Sequence, residues 1–428
     1  MATIKDVAKK AGVSVCTVSR AIAGMGYIKQ ETSERIMAVV EELGYAPNKT
    51  AVSLKTGQTN LLALVVPSIR NVYYPKLARY VQNYANEKGY MMLLCSTDYK
   101  VEKEKEFLER LYSQNVSGVI VTTCSDENEH IKRLKTYGIP YVANAAGVLY
   151  NKDMFAEHGW EIPQTWDEFV SLCEEIQNEG IQPLYFGYKD TWTCLAPWNA
   201  LAVGLAPSDV CQQVNKGETT FSKEYPQVAE KMLELLNYGE DGPFGYGYND
   251  ACTAFANGES AMYTIGSYAI PQIKSVNPDM NIGSFVFPAN EDADKNVLNS
   301  GNDLMFCVMK DCKNKEAAYE VLSYMLEDEN VKKYLNAQSA VPCKKGDFEI
   351  TPELEEMRDY IENGIVADYQ DHHYPSEMSV DAMIQTYLMD DSADATDTFM
   401  KRFDKEWIRY NRDVVAKVKA YEEGNDHE

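Results

Sequence analysis

What this 428-residue chain lacks narrows its chemistry first. No apolar run reaches the roughly 18 residues that a bilayer-spanning helix needs. The opening stretch, MATIKDVAKK, has neither the apolar core nor the cleavage site of a secretory leader, so a cytoplasmic protein is expected. The ten cysteines are scattered without a Cys-x-x-Cys pair, and they read as reduced, mostly buried small hydrophobes. Histidine is scarce, at five residues. His372 and His373 are adjacent beside Asp371, and neighbours on a strand face opposite ways, so a solvated loop is expected there rather than a metal site. No G-x-S-x-G elbow, phosphate loop or H-E-x-x-H occurs. Acid pairs such as Glu174–Glu175 and Glu355–Glu356 lie on helical stretches, as solvated faces do. No catalytic residue, metal or cofactor is therefore expected, and no enzyme.

Positive charge is also short. The net charge is −24, a poor balance for binding nucleic acid if it were evenly spread. It is not: residues 1–60 hold eight Lys/Arg against five acids, so that segment is +3 and the remainder −27. A mildly basic head on an acidic body can meet DNA with the head while the body faces away.

The head shows three helical patterns. Ile4, Val7, Ala8 and Ala11 recur at helical spacing, and Gly12 suits a left-handed helix end. Ser14 can cap the next helix, VCTVSRAIA, whose inner face is Val18, Ala21 and Ile22. A third helix, expected over 32–43, turns Ile36, Val39, Val40 and Leu43 inward. Two short helices at a tight glycine turn, braced by a third, make a helix-turn-helix. Such a motif enters the major groove with the start of its second helix. Val15, Cys16, Thr17, Ser19 and Arg20 are then the exposed early positions. Arg20 can grip a guanine edge with two bonds, Val15 and Cys16 can touch a thymine methyl, and Thr17 and Ser19 suit phosphates.

The runs TIKDVAKKAGVSVCTVSRAI and ELGYAPNKTAVSLKTGQTN resemble the headpiece and hinge of the LacI-type bacterial repressors. The resemblance implies a homodimer on double-stranded operator DNA, with Thr3, Ser14, Val15, Cys16, Thr17, Ser19 and Arg20 at the interface. It also implies a hinge helix over 48–55 that folds on DNA. There Asn48 and Ala51 are expected at the DNA, and Leu54 is wedged into the minor groove. Val15 and Cys16 replace the bulky polar pair often found in that family, so the operator sequence is left open.

Strand and helix patterns then alternate: LLALVVP, a helix over 74–87, YMMLLCS, a helix over 102–114, GVIVT, a helix over 129–137, and IPYVA. That order implies a parallel sheet covered on both faces, with IPYVA as its fourth strand. The stretches VPSIRNVYYPKLARYVQNYANEKGYMMLLCSTD and EKEFLERLYSQNVSGVIV resemble the first effector lobe of the same repressors. There the loop after the first strand, here 68–74, faces the ligand, and the helix beside it helps make the dimer.

After Ala145 the repressor pattern stops. VLYNKDMFAEHGWEIPQTWDEFVSLCEEI, FANGESAMYTIGSYAIPQI, FVFPAN and KNKEAAYEVLSYMLEDENVKKYLN with AVPCKKG resemble the extracellular solute-binding proteins that deliver sugars to ABC importers. The resemblance implies a two-lobed periplasmic-binding-protein-like α/β body behind the all-α headpiece. Three regions are expected: 1–59, headpiece and hinge; 60–145, repressor-like lobe segment; 146–428, solute-binding-protein-like. The seam falls within 139–147. Aromatic plates beside Asp and Asn suit sugars, which present apolar C–H faces ringed by hydroxyls. The segment KDTWTCLAPWN offers Trp192, Trp198 and Asn199. Gly266, Ser267 and Tyr268 match a ligand-meeting family motif that usually ends in Trp. Gly301, Asn302 and Asp303 match another, with Asn302 as the expected contact. The leading reading is a DNA-binding regulator whose body binds a small-molecule effector, a carbohydrate, without a membrane partner. The rivals are a sugar receptor of an ABC transporter and a recombined chain without an intact sensor.

Overall fold

The computed structural model describes residues 2–23, 28–45, 61–70, 73–113, 116, 118–122, 139–306, 308 and 314–416. The hinge residues Asn48, Ala51 and Leu54 and the helix expected over 129–137 lie outside them.

Three helices form the head: Ile4–Ala11, Val15–Ala23 and Gln30–Glu42, the last beginning two residues before the expected start. Thr3 donates from its amide (2.8 Å) and hydroxyl (2.7 Å) to the Asp6 carboxylate, which closes the first turn and holds the Asp6 pKa below the usual carboxylate range. Gly12 ends the helix in the left-handed region, at φ 67°. The amide of Thr17 donates to Ser14 Oγ at 3.1 Å, so Ser14 caps the second helix. Val7, Ala8, Ala11, Val18, Ile36 and Val39 are buried together, with Ile4, Ala21, Ile22, Val40 and Leu43 packed around them. Every apolar position read from the helical periods is in this cluster.

A parallel sheet follows, in the order β2-β1-β3: β1 (Leu61–Val66), β2 (Met91–Ser96) and β3 (Gly118–Val121). Alternation in β1 sends Leu64 and Val66 to one face, against Ala78 of the Tyr73–Glu87 helix. Ala63 and Val65 go to the other face, with Leu111 of the Val101–Ser113 helix. A strand buried on both faces explains the continuous apolar run LLALVV.

IPYVA does not extend this sheet, which corrects the expected fourth strand. As β4 (Ile139–Ala143) it runs antiparallel to β9 (Asn302–Phe306) and β10 (Val341–Pro342). The cause is packing: Tyr141 and Val142 are buried with Leu304, Phe306, Leu322 and Leu335, all from the C-terminal region. Ile120 of β3 packs against the same cluster and joins the two sheets.

From Asn144 the chain crosses to the larger lobe. Ala146 bridges to both Gly266 and Asn299. There β5 (Val148–Asn151) lies between β6 (Met262–Tyr263) and β7 (Ile282–Phe285), all antiparallel, while β8 (Leu298–Asn299) pairs in parallel with β11 (Val366–Ala367). Helices Trp166–Asn178, Leu195–Leu205, Pro226–Leu235, Val380–Leu388 and Ala395–Tyr410 supply most of the core around this sheet. Among the described residues no helix is long and apolar enough to cross a membrane.

Candidate functional site

On the head, Ser14, Val15, Cys16, Ser19 and Arg20 are exposed along the second helix, and Thr3 is exposed at the start of the first; Thr17 is half-buried. The Ser14 and Thr17 hydroxyls lie 2.8 Å apart. Both therefore shape the helix start while remaining at the surface. Lys10 and Glu42 pair at 2.5 Å and tie the first helix to the third.

On the body, an aromatic and polar cluster forms where the repressor-like segment meets the larger lobe. Trp192 sits in the tight turn Thr191–Cys194, its ring 5.0 Å from that of Tyr248 and 6.2 Å from that of Tyr268. Asp190 positions it by accepting the Tyr248 amide at 2.8 Å. Gly247 permits that approach, since a Cβ there would lie 2.6 Å from Asp190 Oδ2. From the other side Tyr99, in the loop after β2, lays its ring 6.4 Å from Trp192 at an interplanar angle of 22°.

The polar part comes from three separate stretches. Tyr369 donates its hydroxyl to Asn144 Oδ1 at 2.6 Å, and Asn144 Nδ2 reaches Asp303 Oδ1 at 3.4 Å. Asp303 is exposed to water yet desolvation pushes its pKa up to about 6. The cause is crowding of the carboxylate by surrounding protein, which disfavours its charged form. Tyr268 lies near Asp303 and Asp371, and burial pushes its phenol well above the ordinary range. His372 pairs through Nδ1 with Asp368 at 2.8 Å, and among the described residues no three His, Cys, Asp or Glu groups converge on a point.

Trp192 and Tyr268 belong to this cluster, while Trp198 and Asn199 lie in the core. Trp198 is fully buried: its Nε1 donates to the Tyr374 hydroxyl at 3.3 Å, and Tyr225, Phe399 and Phe403 enclose its ring. The reason is its helix. LAPWNALAVGL carries no charged residue and is buried nearly all round, so an aromatic on it belongs to the core. Asn199, on the same helix, is 1% exposed and spends its amide on Asp371. Asn302 is exposed, with its Oδ1 3.7 Å from Cys343 Sγ. Tyr268 is half-buried, and Gly266 is needed beneath it, since a Cβ there would lie 2.3 Å from the ring. Ser267 instead locks the crossing strand: its amide donates to Ala145 O at 2.7 Å, and its hydroxyl accepts the Ala145 amide at 3.2 Å.

Tyr99, Asn144, Tyr369 and Asp371 are not among the ligand contacts expected from the sequence, whereas Asp303 belongs to the expected Gly301-Asn302-Asp303 stretch. Tyr99 had a usable signal, because it follows the carboxyl end of a parallel strand, where ligands collect in α/β sheets. Tyr369 and Asn144 had none, being 225 positions apart.

Three family models match the chain, which leaves 357–428 unmatched. The model of bacterial regulatory proteins, lacI family, matches residues 3–48. That of the periplasmic binding proteins and sugar binding domain of the LacI family matches 59–154. That of the bacterial extracellular solute-binding proteins matches 125–356, more than half of the chain. The chain belongs to the extracellular solute-binding proteins, behind a lacI-family head. The two body models overlap over 125–154, the stretch that holds β4 and β5. The ribose operon repressor of Halalkalibacterium halodurans is 43% identical over 123 residues, 29% of this chain and 37% of the repressor. The multiple sugar-binding protein of Streptococcus mutans is 31% identical over 229 residues, 51% of this chain and 54% of that protein. The chain thus spans between a third and a little over half of these relatives' lengths. Among solved structures, a chitin oligosaccharide binding protein superposes with a TM-score of 0.68 at 19% identity, over 82% of this chain and 99% of that one. The raffinose complex of the solute-binding protein RafE gives 0.64 at 19%, over 81% and 99%. Residues 139–428 are only about two thirds of the chain, so these matches reach into the repressor-like segment. The body has the α/β fold of these solute-binding proteins.

Proposed function

We propose that this protein is a sequence-specific DNA-binding regulator, acting as a homodimer in the cytoplasm, whose affinity for its operator is set by a neutral carbohydrate bound in the body. The observation that carries this reading is the aromatic contact between Tyr99 and Trp192, one from each half of the body. An intact sensor needs the repressor-like segment and the solute-binding region to pack as one unit, and they share a continuous set of contacts. Tyr84 stacks on Tyr324 at 4.2 Å, Lys88 pairs with Glu320 at 2.7 Å, and Asn314 Nδ2 donates to the Tyr90 hydroxyl at 3.3 Å. A chain recombined without an intact sensor has no reason to form them.

Trp192 and Tyr268 supply the stacking surfaces, and Asp303, Asn144 and Asn302 the hydroxyl partners. The acidic body, at −27 beyond residue 60, favours a neutral ligand over an anion. Relatives of the same fold are described with raffinose, stachyose, mannobiose and chitin oligosaccharides. These form the panel for calorimetry and tryptophan fluorescence on the full chain. Binding of one of them, abolished by Trp192→Ala, supports the reading; failure of all of them on folded protein removes the sensor.

For the dimer, the support is the exposed edge strand β2. Met91, Leu93 and Leu94 and, on the neighbouring helix, Tyr80 are large apolar side chains in water at 61%, 37%, 40% and 70% exposure. An edge strand of this kind is a pairing surface, and two heads on one operator require two chains. In the assembled complex, Thr3, Ser14, Thr17, Ser19 and the hinge residues Asn48 and Ala51 hold the DNA backbone. Arg20, Val15 and Cys16 read bases, and Leu54 enters the minor groove.

A further inference from the structure

The loop that carries Tyr99 is built in an unusual way. Asp98 and Tyr99 are consecutive non-glycine residues in the left-handed region, at φ 54° and 57°. Such backbone is strained and persists only where its surroundings hold it. Here they do. Thr97 is fully buried and its amide donates to Val66 O at 2.9 Å. The Tyr99 amide donates to Pro67 O at 3.0 Å, and Lys103 pairs with Asp98 at 2.5 Å. The product of this strain is a Tyr99 ring that is 47% exposed and held against Trp192 across the junction between the two halves of the body.

A centroid separation of 6.4 Å lies within the range of aromatic rings in direct contact, so no pyranose fits between the two. Yet Trp192 is the ring a sugar should use. Tyr268 and Tyr248 flank it on the larger lobe with tilted rings, and Tyr99 is the ring that lies nearly parallel to it. We propose that Tyr99 is an internal cap: it occupies the sugar-stacking face of Trp192 in the unliganded protein and is displaced by the carbohydrate. Tyr99 thereby sets both affinity and selectivity, because only a ligand with an apolar face large enough to replace a phenol ring repays the exchange. Its amide is fastened to Pro67 at the end of β1, the first strand after the head. Displacement is therefore transmitted to the strand nearest the DNA-binding end of the chain. This inference rests on the carbohydrate reading above.

The five tryptophans make the test direct. Trp160, Trp166, Trp198 and Trp407 are buried, at 7%, 4%, 0% and 1% exposure, so acrylamide quenching of the full chain reports chiefly on Trp192. Tyr99→Asn, which tolerates left-handed backbone, should raise the quenching, and Tyr99→Phe should leave it as in the parent. With raffinose as first probe, followed by the rest of the panel, Tyr99→Asn should bind about two- to twelvefold tighter, the worth of one aromatic pair. Tyr99→Phe should bind as the parent does. Unchanged or weaker binding by Tyr99→Asn overturns the cap and leaves the sugar reading standing. If no sugar binds parent or variant, the sugar reading itself fails and the cap with it, whatever the quenching shows.

Discussion

Asn199 and Asp371 hold each other through two hydrogen bonds. Asn199 Nδ2 donates to Asp371 Oδ1 at 2.9 Å, and the Asp371 amide donates back to Asn199 Oδ1 at 3.0 Å. The pair fastens the buried helix Leu195–Leu205 to the turn Gln370–His373. A side-chain amide is the group that can serve both bonds at once, one as donor and one as acceptor. Asn199→Ala strands both partners and is expected to cost about 1–3 kcal/mol. Asn199→Asp should cost more, since it sets a second carboxylate against Asp371. Urea denaturation of the variants checks the order; equal stability of parent and Asn199→Ala would show that the pair contributes nothing.

Trp192 and Trp198 lie six positions apart and should respond in opposite ways. Trp198→Ala empties a fully buried site and should destabilise the body by about 3–5 kcal/mol. Trp192→Ala removes a half-exposed ring and should change stability far less while abolishing sugar binding. Denaturation and calorimetry on both variants check the contrast. Loss of sugar binding by a folded Trp198→Phe protein, with Trp192→Ala unaffected, would reverse the assignment.

Glu240 introduces a pH dependence. Its Oε2 accepts the Phe186 amide at 2.8 Å, while among the described residues its Oε1 is buried without a hydrogen-bond partner, as are the hydroxyls of Tyr188 and Tyr263. Burial pushes its pKa up to about 7 from 4.5. Between those two values the folded protein holds a proton that the unfolded chain has released. The contribution of this group to stability is therefore full below pH 4.5 and is lost as pH rises towards 7. Glu240→Gln keeps an acceptor for Phe186 and removes the charge. Its stability relative to the parent should rise by about 1–3 kcal/mol between pH 5 and 7.5. A parallel pH profile for the two proteins would show that Glu240 does not titrate in this window.

How much of this was legible in the sequence follows from where the determinants lie along the chain. The head was legible almost residue by residue, because its caps and its apolar periods are local: Thr3 meets Asp6, Ser14 meets Thr17, and each helix packs on the next. The parallel strands were legible as apolar runs. The place of β4 was not, because IPYVA looks the same whether its partner is β3 or β9; only the burial of Tyr141 against Leu304 and Leu335, far along the chain, decides it. In the aromatic cluster, Trp192 and Tyr268 stood out by type. Trp198 stood out equally and is core, and the charge-free helix around it was the available clue. Tyr369 and Asn144 meet only through the fold.

Arg20 is exposed on the second helix of the head, past the cap formed by Ser14. Arg20→Ala should weaken operator binding by about 1–3 kcal/mol and relax base preference, as loss of a bidentate base contact does. Selection of operators from random DNA with parent and variant checks this; identical selected sequences would take Arg20 out of the readout.

The central claim is that one chain joins a sugar site to a DNA site, and linkage makes that directly measurable. Operator affinity of the full chain should be determined at fixed salt with and without a saturating concentration of the sugar identified by calorimetry, with Trp192→Ala alongside. The sugar should shift the operator dissociation constant of the parent by about 5–150-fold, the usual range of allosteric coupling, and should leave Trp192→Ala unmoved. The same operator affinity in the presence and absence of a sugar that demonstrably occupies the parent would contradict it.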